Sequence, residues 1–187
     1  MSTLIQMPAP GNIMGRSSSI TNAFVNSIIP VVVPSEEEVL EALRILQIDP
    51  YHQTCAYCGD SSTEWDHLRP LVIRQKPTGF ITEIANLVPA CGKCNQSKGN
   101  RHWRSWIISN ARLSPKSRGV ADLDARIQHL ELFEKWRNVK PINFEEIVGP
   151  ELWITHWENW KRVISDMKTS QELAIQIRKA IRDKRAD

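Results

Sequence analysis

Two cysteine pairs, Cys55-Ala56-Tyr57-Cys58 and Cys91-Gly92-Lys93-Cys94, constrain this 187-residue chain more than anything else in it, and they use all of its cysteines. Two CxxC knuckles supply four thiolates that can meet tetrahedrally at about 2.3 Å from one Zn2+. Gly59 and Gly92 beside them let backbone amides turn toward sulfur. Disulfides suit an oxidising compartment, and a redox CxxC needs one motif at a helix start rather than two matched ones. Structural zinc is therefore the reading that uses both pairs. The 32 residues between them exceed the roughly 15 to 20 of a simple zinc ribbon, so the metal closes a loop holding an insert, and function is expected there.

The rest of the chain has ordinary globular composition, 41% hydrophobic and 24% charged. Its longest apolar run, Ile28 to Val33 with Pro30 inside, is far short of the roughly 20 residues that cross a bilayer, which excludes a membrane helix. Residues 1 to 15 carry no Lys or Arg and no sustained apolar stretch, so they lack the parts of a secretory signal, and a cytoplasmic protein is expected. The net charge of +3 names no partner, but its distribution does. Residues 61 to 120 hold ten Lys and Arg against three acids, whereas residues 35 to 60 hold one Arg against six acids. An anionic polymer would meet its positive field in the middle third.

Four regions follow from punctuation and periodicity. Residues 1–34 read as an arm, with Ala23 to Val33 extended at an edge because of Pro30 and Pro34. Residues 35–50 form a helix: Ser35 and Glu38 make a capping box, and Val39, Leu40, Leu43 and Leu46 share a face. Residues 51–110 are the cysteine-bounded module, ending in a short helix over Arg101 to Arg112 whose Trp103 and Trp106 pin the knuckle helix to its neighbour. Residues 111–187 are helical, with Leu123, Ile127, Leu130 and Phe133 on one stripe of Ala121 to Trp136. Pro150 starts a further helix whose Trp153, Trp157, Trp160 and Ile164 form a buried face, and Thr169 with Glu172 caps a separate last one.

Inside the cysteine-closed loop stand Glu64-Trp65-Asp66-His67, then Asn86-Leu87-Val88-Pro89-Ala90, and the second knuckle continues as Cys94-Asn95-Gln96-Ser97-Lys98. The order CxxC, Asp-His, a middle Asn, CxxC followed at once by Asn, and Lys three residues on closely resembles the HNH endonuclease family over Cys55 to Asn100. The last letter is Asn where many members have His, which makes the pattern H-N-N. The resemblance implies an α+β, mostly helical chain around a ββα-metal module. In it Asp66 and His67 end the first strand, Asn86 leads into the second, and Asn95 sits on the following helix. It also implies 5′-phosphate and 3′-hydroxyl products.

The residue types suit phosphodiester hydrolysis. His67 can take a proton from water near pH 7, and Asp66 and Asn95 offer the oxygen ligands that hard Mg2+ or Mn2+ prefer. By resemblance Asn86 shapes the loop and holds the base. Lys93, Lys98, Arg69, Arg101 and Arg104, with Arg74 and Lys76, would supply positive surface to double-stranded DNA, and Lys98 is the one that the family pattern also carries. Tyr57 and Trp65 read as packing. The leading function is a metal-dependent DNA endonuclease of site-specific restriction type, cutting both strands as a homodimer. The alternatives are a nuclease effector subunit of a phage-defence complex, awaiting a partner, and a zinc-held DNA-binding module without catalysis.

Overall fold

A computed structural model describes residues 6–186 and is mostly helical, with small sheets. The described residues fall into two compact units, one of 25–144 and one made of 6–24 with 145–186. These boundaries differ from the four regions expected, because the 35–50 helix and the first helix beyond residue 111 pack with the cysteine module.

The larger unit is built around the knuckles. Helix α2, Glu36–Ile45, begins at Ser35, whose hydroxyl accepts from the Glu38 amide while the Glu38 carboxylate accepts from the Ser35 amide. Three acids in its first turn favour the positive end of the helix dipole. It buries Ala42, Leu43 and Leu46, whereas Leu40, expected on that face, is exposed. Strands β1, Glu64–His67, and β4, Leu87–Ala90, pair antiparallel, with Asp66 opposite Val88 and His67 opposite Leu87. Between them the insert carries a minimal hairpin, β2 (Val72–Ile73) and β3 (Lys76–Pro77). Helix α3, Gly92–Lys98, follows β4 directly, which completes the ββα unit.

Helix α4 is shorter than expected, Trp103–Ile107, and buries Trp103 and Trp106 completely, as their packing role requires. Their indole nitrogens pin two neighbours: Trp106 donates to Ser97 Oγ on α3 at 3.0 Å, and Trp103 donates to Glu134 at 3.1 Å. Glu134 lies on α5, Leu123–Lys135, which adds Leu130 and Phe133 to the core. A short α6 spans Phe144–Val148.

The smaller unit pairs α1, Ser17–Ser27, with α7, Pro150–Ala186. A helix replaces the loose arm and the extended start at Ala23, and the extended chain shrinks to a single bridge at Val31. Residues 1–5 lie outside the described residues. The Trp stripe of α7 is half-buried rather than fully buried. Trp160 donates to Thr21 Oγ1 at 3.0 Å, and the His156 ring meets the Phe24 carbonyl at 3.1 Å. No break occurs at Thr169: its hydroxyl donates back to the Ser165 carbonyl, an internal helix bond rather than a cap. Among the described residues no helix is long and apolar enough to cross a membrane.

Candidate metal centre and adjoining polar site

Cys55, Cys58, Cys91 and Cys94 are all buried and free, and their sulfurs lie within 4.8 Å of one another. Tetrahedral bonds of about 2.3 Å put ligand sulfurs about 3.8 Å apart. Cys58 and Cys91 are separated by 3.7 Å, so the cluster has the dimensions of a zinc site without rearrangement. The electrostatics agree. The Cys55 thiol is pushed up to about 12, chiefly by its hydrogen bond to Cys58, with burial adding to it. The same bond pulls Cys58 far down, and hydrogen bonds with Cys55 and Cys58 push Cys94 far up. Thiols packed this closely oppose one another's ionisation, and a divalent ion would relieve that opposition.

Residues beyond the knuckles brace this cluster. Arg118 places Nη1 3.4 Å from Cys94 Sγ and Nη2 2.6 Å from Asp60, and Arg126 donates to the Cys55 carbonyl at 3.2 Å. Gly59 has φ +80°, the left-handed conformation that favours glycine, and a Cβ there would push aside the tip of the Arg126 side chain.

The polar site lies where β1 ends against α3. Asp66 is only 5% exposed, and both its oxygens are engaged. Tyr57 donates to Oδ2 at 2.6 Å, and the Lys98 ammonium lies 3.0 Å from Oδ2 and 3.3 Å from Oδ1. Lys98 also donates to the His67 carbonyl at 2.7 Å and to the Gly99 carbonyl at 3.3 Å. Burial raises the Asp66 carboxyl above its ordinary range against the pull of Lys98, and burial lowers the Lys98 ammonium against the pull of Asp66. Both shifts run toward the neutral forms, so at each group desolvation outweighs the partner's attraction. Tyr57 is thus more than packing.

His67 follows on the other face of β1, half-buried, with Nε2 2.9 Å from Thr82 Oγ1. Burial, with the Lys98 charge second, pulls its imidazole down to about 4, so it is neutral at pH 7. Asn86 is fully buried and does not bond the ring. Its Oδ1 accepts from the Arg69 amide at 2.8 Å, and its Nδ2 donates to the carbonyls of Arg69 and Ile81, each at 3.2 Å. Asn95, on α3 one turn before Lys98, is partly exposed, and its backbone serves the helix.

The expected DNA-facing cations divide. Lys98 is 1% exposed and Arg69 8%, so neither presents charge to solvent, which corrects the expectation for both. Arg69 spends its guanidinium on the carbonyls of Ala85 and Glu134. Burying a long cation is tolerable only when partners replace its water, and here a carboxylate and backbone carbonyls do so. Lys93, Arg101 and Arg104 are exposed, with Lys93 3.9 Å from Asp60 and Arg104 paired to Glu131. Tyr57, Thr82 and Arg118 were not anticipated as site residues. They stand 9, 15 and 24 positions from the atoms they touch, and no local spacing announces such contacts.

A family model described as HNH endonuclease matches residues 55–101. A 56-residue stretch is 41% identical to the CRISPR-associated endonuclease Cas9 of Corynebacterium diphtheriae, covering 28% of this chain. The chain spans 5% of the length of that relative. No solved structure matches.

Proposed function

On the premise that residues 55–101 are an HNH endonuclease domain, we propose that this protein is a metal-dependent endonuclease acting on double-stranded DNA. The observation that carries the reading is a neutral, half-buried His67 at the end of β1 beside the buried Asp66–Lys98 pair, on a frame fixed by the cysteine cluster. His67 serves as the general base. At neutral pH its ring is almost wholly unprotonated, so it can accept the proton of an attacking water, at the cost of being a weaker base than an ordinary histidine.

The cysteines hold structural Zn2+. Asp66 and Asn95 supply the carboxylate and amide oxygens that suit Mg2+ or Mn2+, an ion that would stabilise charge on the phosphate. The donor types fit a hard cation, and because Tyr57 and the Lys98 ammonium engage both Asp66 oxygens, such an ion would have to take the place of Lys98 at the carboxylate. Tyr57 holds Oδ2 in place, Asn86 fixes the loop behind the base, and the exposed Lys93, Arg101 and Arg104 meet the DNA backbone. Products with 5′-phosphate and 3′-hydroxyl ends are expected, as the family implies.

The first form of this reading is a site-specific enzyme of restriction type, in which the residues outside the domain recognise the target and two copies cut both strands. A second is a nuclease subunit of a defence complex, favoured by the likeness to a segment of a CRISPR-associated endonuclease. Incubating zinc-loaded protein with supercoiled plasmid and genomic DNA in Mg2+, Mn2+ or EDTA, then sequencing the ends, tests both. Metal-dependent cuts at a repeated sequence support the restriction form. Cuts that appear only when the protein is isolated with a partner support the second. Tight binding without cutting in any metal would leave a binding module in place of the enzyme.

A further inference from the structure

We infer that Thr82 is a positioning residue that sets which ring nitrogen of His67 is free to accept a proton. The inference rests on reading His67 as the base. A neutral imidazole has one N–H and one lone pair, and the partner of one nitrogen decides where the lone pair lies. Thr82 Oγ1 lies 2.9 Å from Nε2, so that nitrogen is committed to the protein. Proton abstraction must then use Nδ1, which carries a lone pair only if Nε2 keeps its hydrogen and donates it to the Thr82 hydroxyl. The reverse arrangement, with the hydroxyl donating to Nε2, would protonate Nδ1 and leave no basic nitrogen for water.

The support behind Thr82 is stiffer than a loop threonine requires. Its amide donates to the Pro30 carbonyl at 3.1 Å, and its carbonyl accepts from the Val32 amide at 2.8 Å, which makes a parallel bridge between Val31 and Thr82. The preceding carbonyl, Ile81, accepts from Asn86 Nδ2. Three hydrogen bonds therefore fix residues 81 and 82, and the β-branched side chain has few rotamers in which to wander. Through Ile81 this also gives Asn86 a route to the base: it holds the segment whose next residue touches the ring. The Pro30 to Val32 segment lies outside the matched HNH segment, so the chain before the domain helps orient its histidine.

The test compares the wild type with Thr82→Val, which keeps the branched shape without the hydroxyl, and Thr82→Ser, which keeps the hydroxyl. Long-range proton–nitrogen NMR of zinc-loaded, magnesium-free protein at pH 7.5 reads the His67 tautomer without any DNA. The expected result is the Nε2–H tautomer in the wild type and Thr82→Ser, and a mixture in Thr82→Val. In cleavage assays kcat should fall by about tenfold in Thr82→Val with DNA affinity unchanged, and recover in Thr82→Ser, the scale seen when a partner that orients a histidine is removed. An Nδ1–H tautomer in the wild type would overturn the inference, as would a Thr82→Val protein with wild-type tautomer and rate. The wild-type tautomer needs no variant to fold. A protein that never cuts yet shows the Nε2–H form dependent on Thr82 would break the proposed function and leave the positioning role standing.

Discussion

The cysteine cluster and the Asp66–His67 site are built on the same ββα frame, yet they are held by opposite means. Four identical donors from two matched turns converge on one point, and the ion they suit is worth most of the folding free energy of a small domain. At the polar site each group has a different partner from a different element: Tyr57 from the first knuckle, Lys98 from the end of α3, Thr82 from the insert. The first centre makes the frame, and the second uses it. A site made of unlike single contacts can be altered at His67 or Thr82 alone, whereas its buried Asp66–Lys98 pair must change together.

The largest expected effect lies on the cysteine side. Purified protein should contain about one zinc per chain by metal analysis, and Cys91→Ser should lose the metal and most of the cooperative unfolding transition, since metal binding and folding are coupled. A native protein without zinc, with all four thiols freely titratable, would erase the contrast between the two centres.

Next comes the buried pair. Asp66→Asn leaves the Lys98 ammonium uncompensated and should cost about 3–5 kcal/mol in denaturant unfolding. Adding Lys98→Met should recover much of that loss, because both charges are then gone. If the double variant is no more stable than Asp66→Asn, the two side chains are not coupled as their 3.0 Å separation implies.

A smaller effect sharpens the description of His67. Its pKa in the folded protein, about 4, is below the ordinary histidine value of 6.5, so folding favours the neutral ring. The stability this gives is fully present above about pH 6.5 and is lost as pH falls toward 4. Wild type should therefore lose up to about 2 kcal/mol relative to His67→Gln between pH 7 and pH 4.5, allowing for the partial exposure of the ring. A difference that stays constant with pH would mean that the ring titrates as an ordinary histidine.

The smallest effects belong to the exposed cations. Arg101→Ala should reduce the salt dependence of DNA binding by about one counterion, and Lys93→Ala and Arg104→Ala by less, because Asp60 and Glu131 already lie beside them. Lys98→Met should leave the slope unchanged, since its ammonium never reaches solvent. A lowered slope for Lys98→Met would show that the pair with Asp66 opens when DNA binds.

What could be read beforehand follows the same division. The knuckles, the capping box at Ser35 and Glu38, and the placing of Asp66 and His67 at a strand end were legible because they are local patterns or match a family motif. The burial of Lys98 and Arg69 was not, because a long cation in a basic stretch reads as surface unless its carboxylate and carbonyl partners are known. Thr169 with Glu172 has the spacing of a capping box, but nothing nearby stops the helix, and α7 runs through it. Tyr57 and Thr82 were invisible as site residues since only the folded backbone brings their hydroxyls to Asp66 and His67.

One measurement bears most directly on the separation of the two centres: the cleavage rate of duplex DNA by His67→Ala beside wild type, at matched zinc content, melting temperature and DNA affinity. The expected result is a rate lower by roughly a hundredfold or more, with zinc, stability and binding nearly intact, the loss typical of a missing general base. An equal rate in the two proteins would contradict the assignment of His67 as the base.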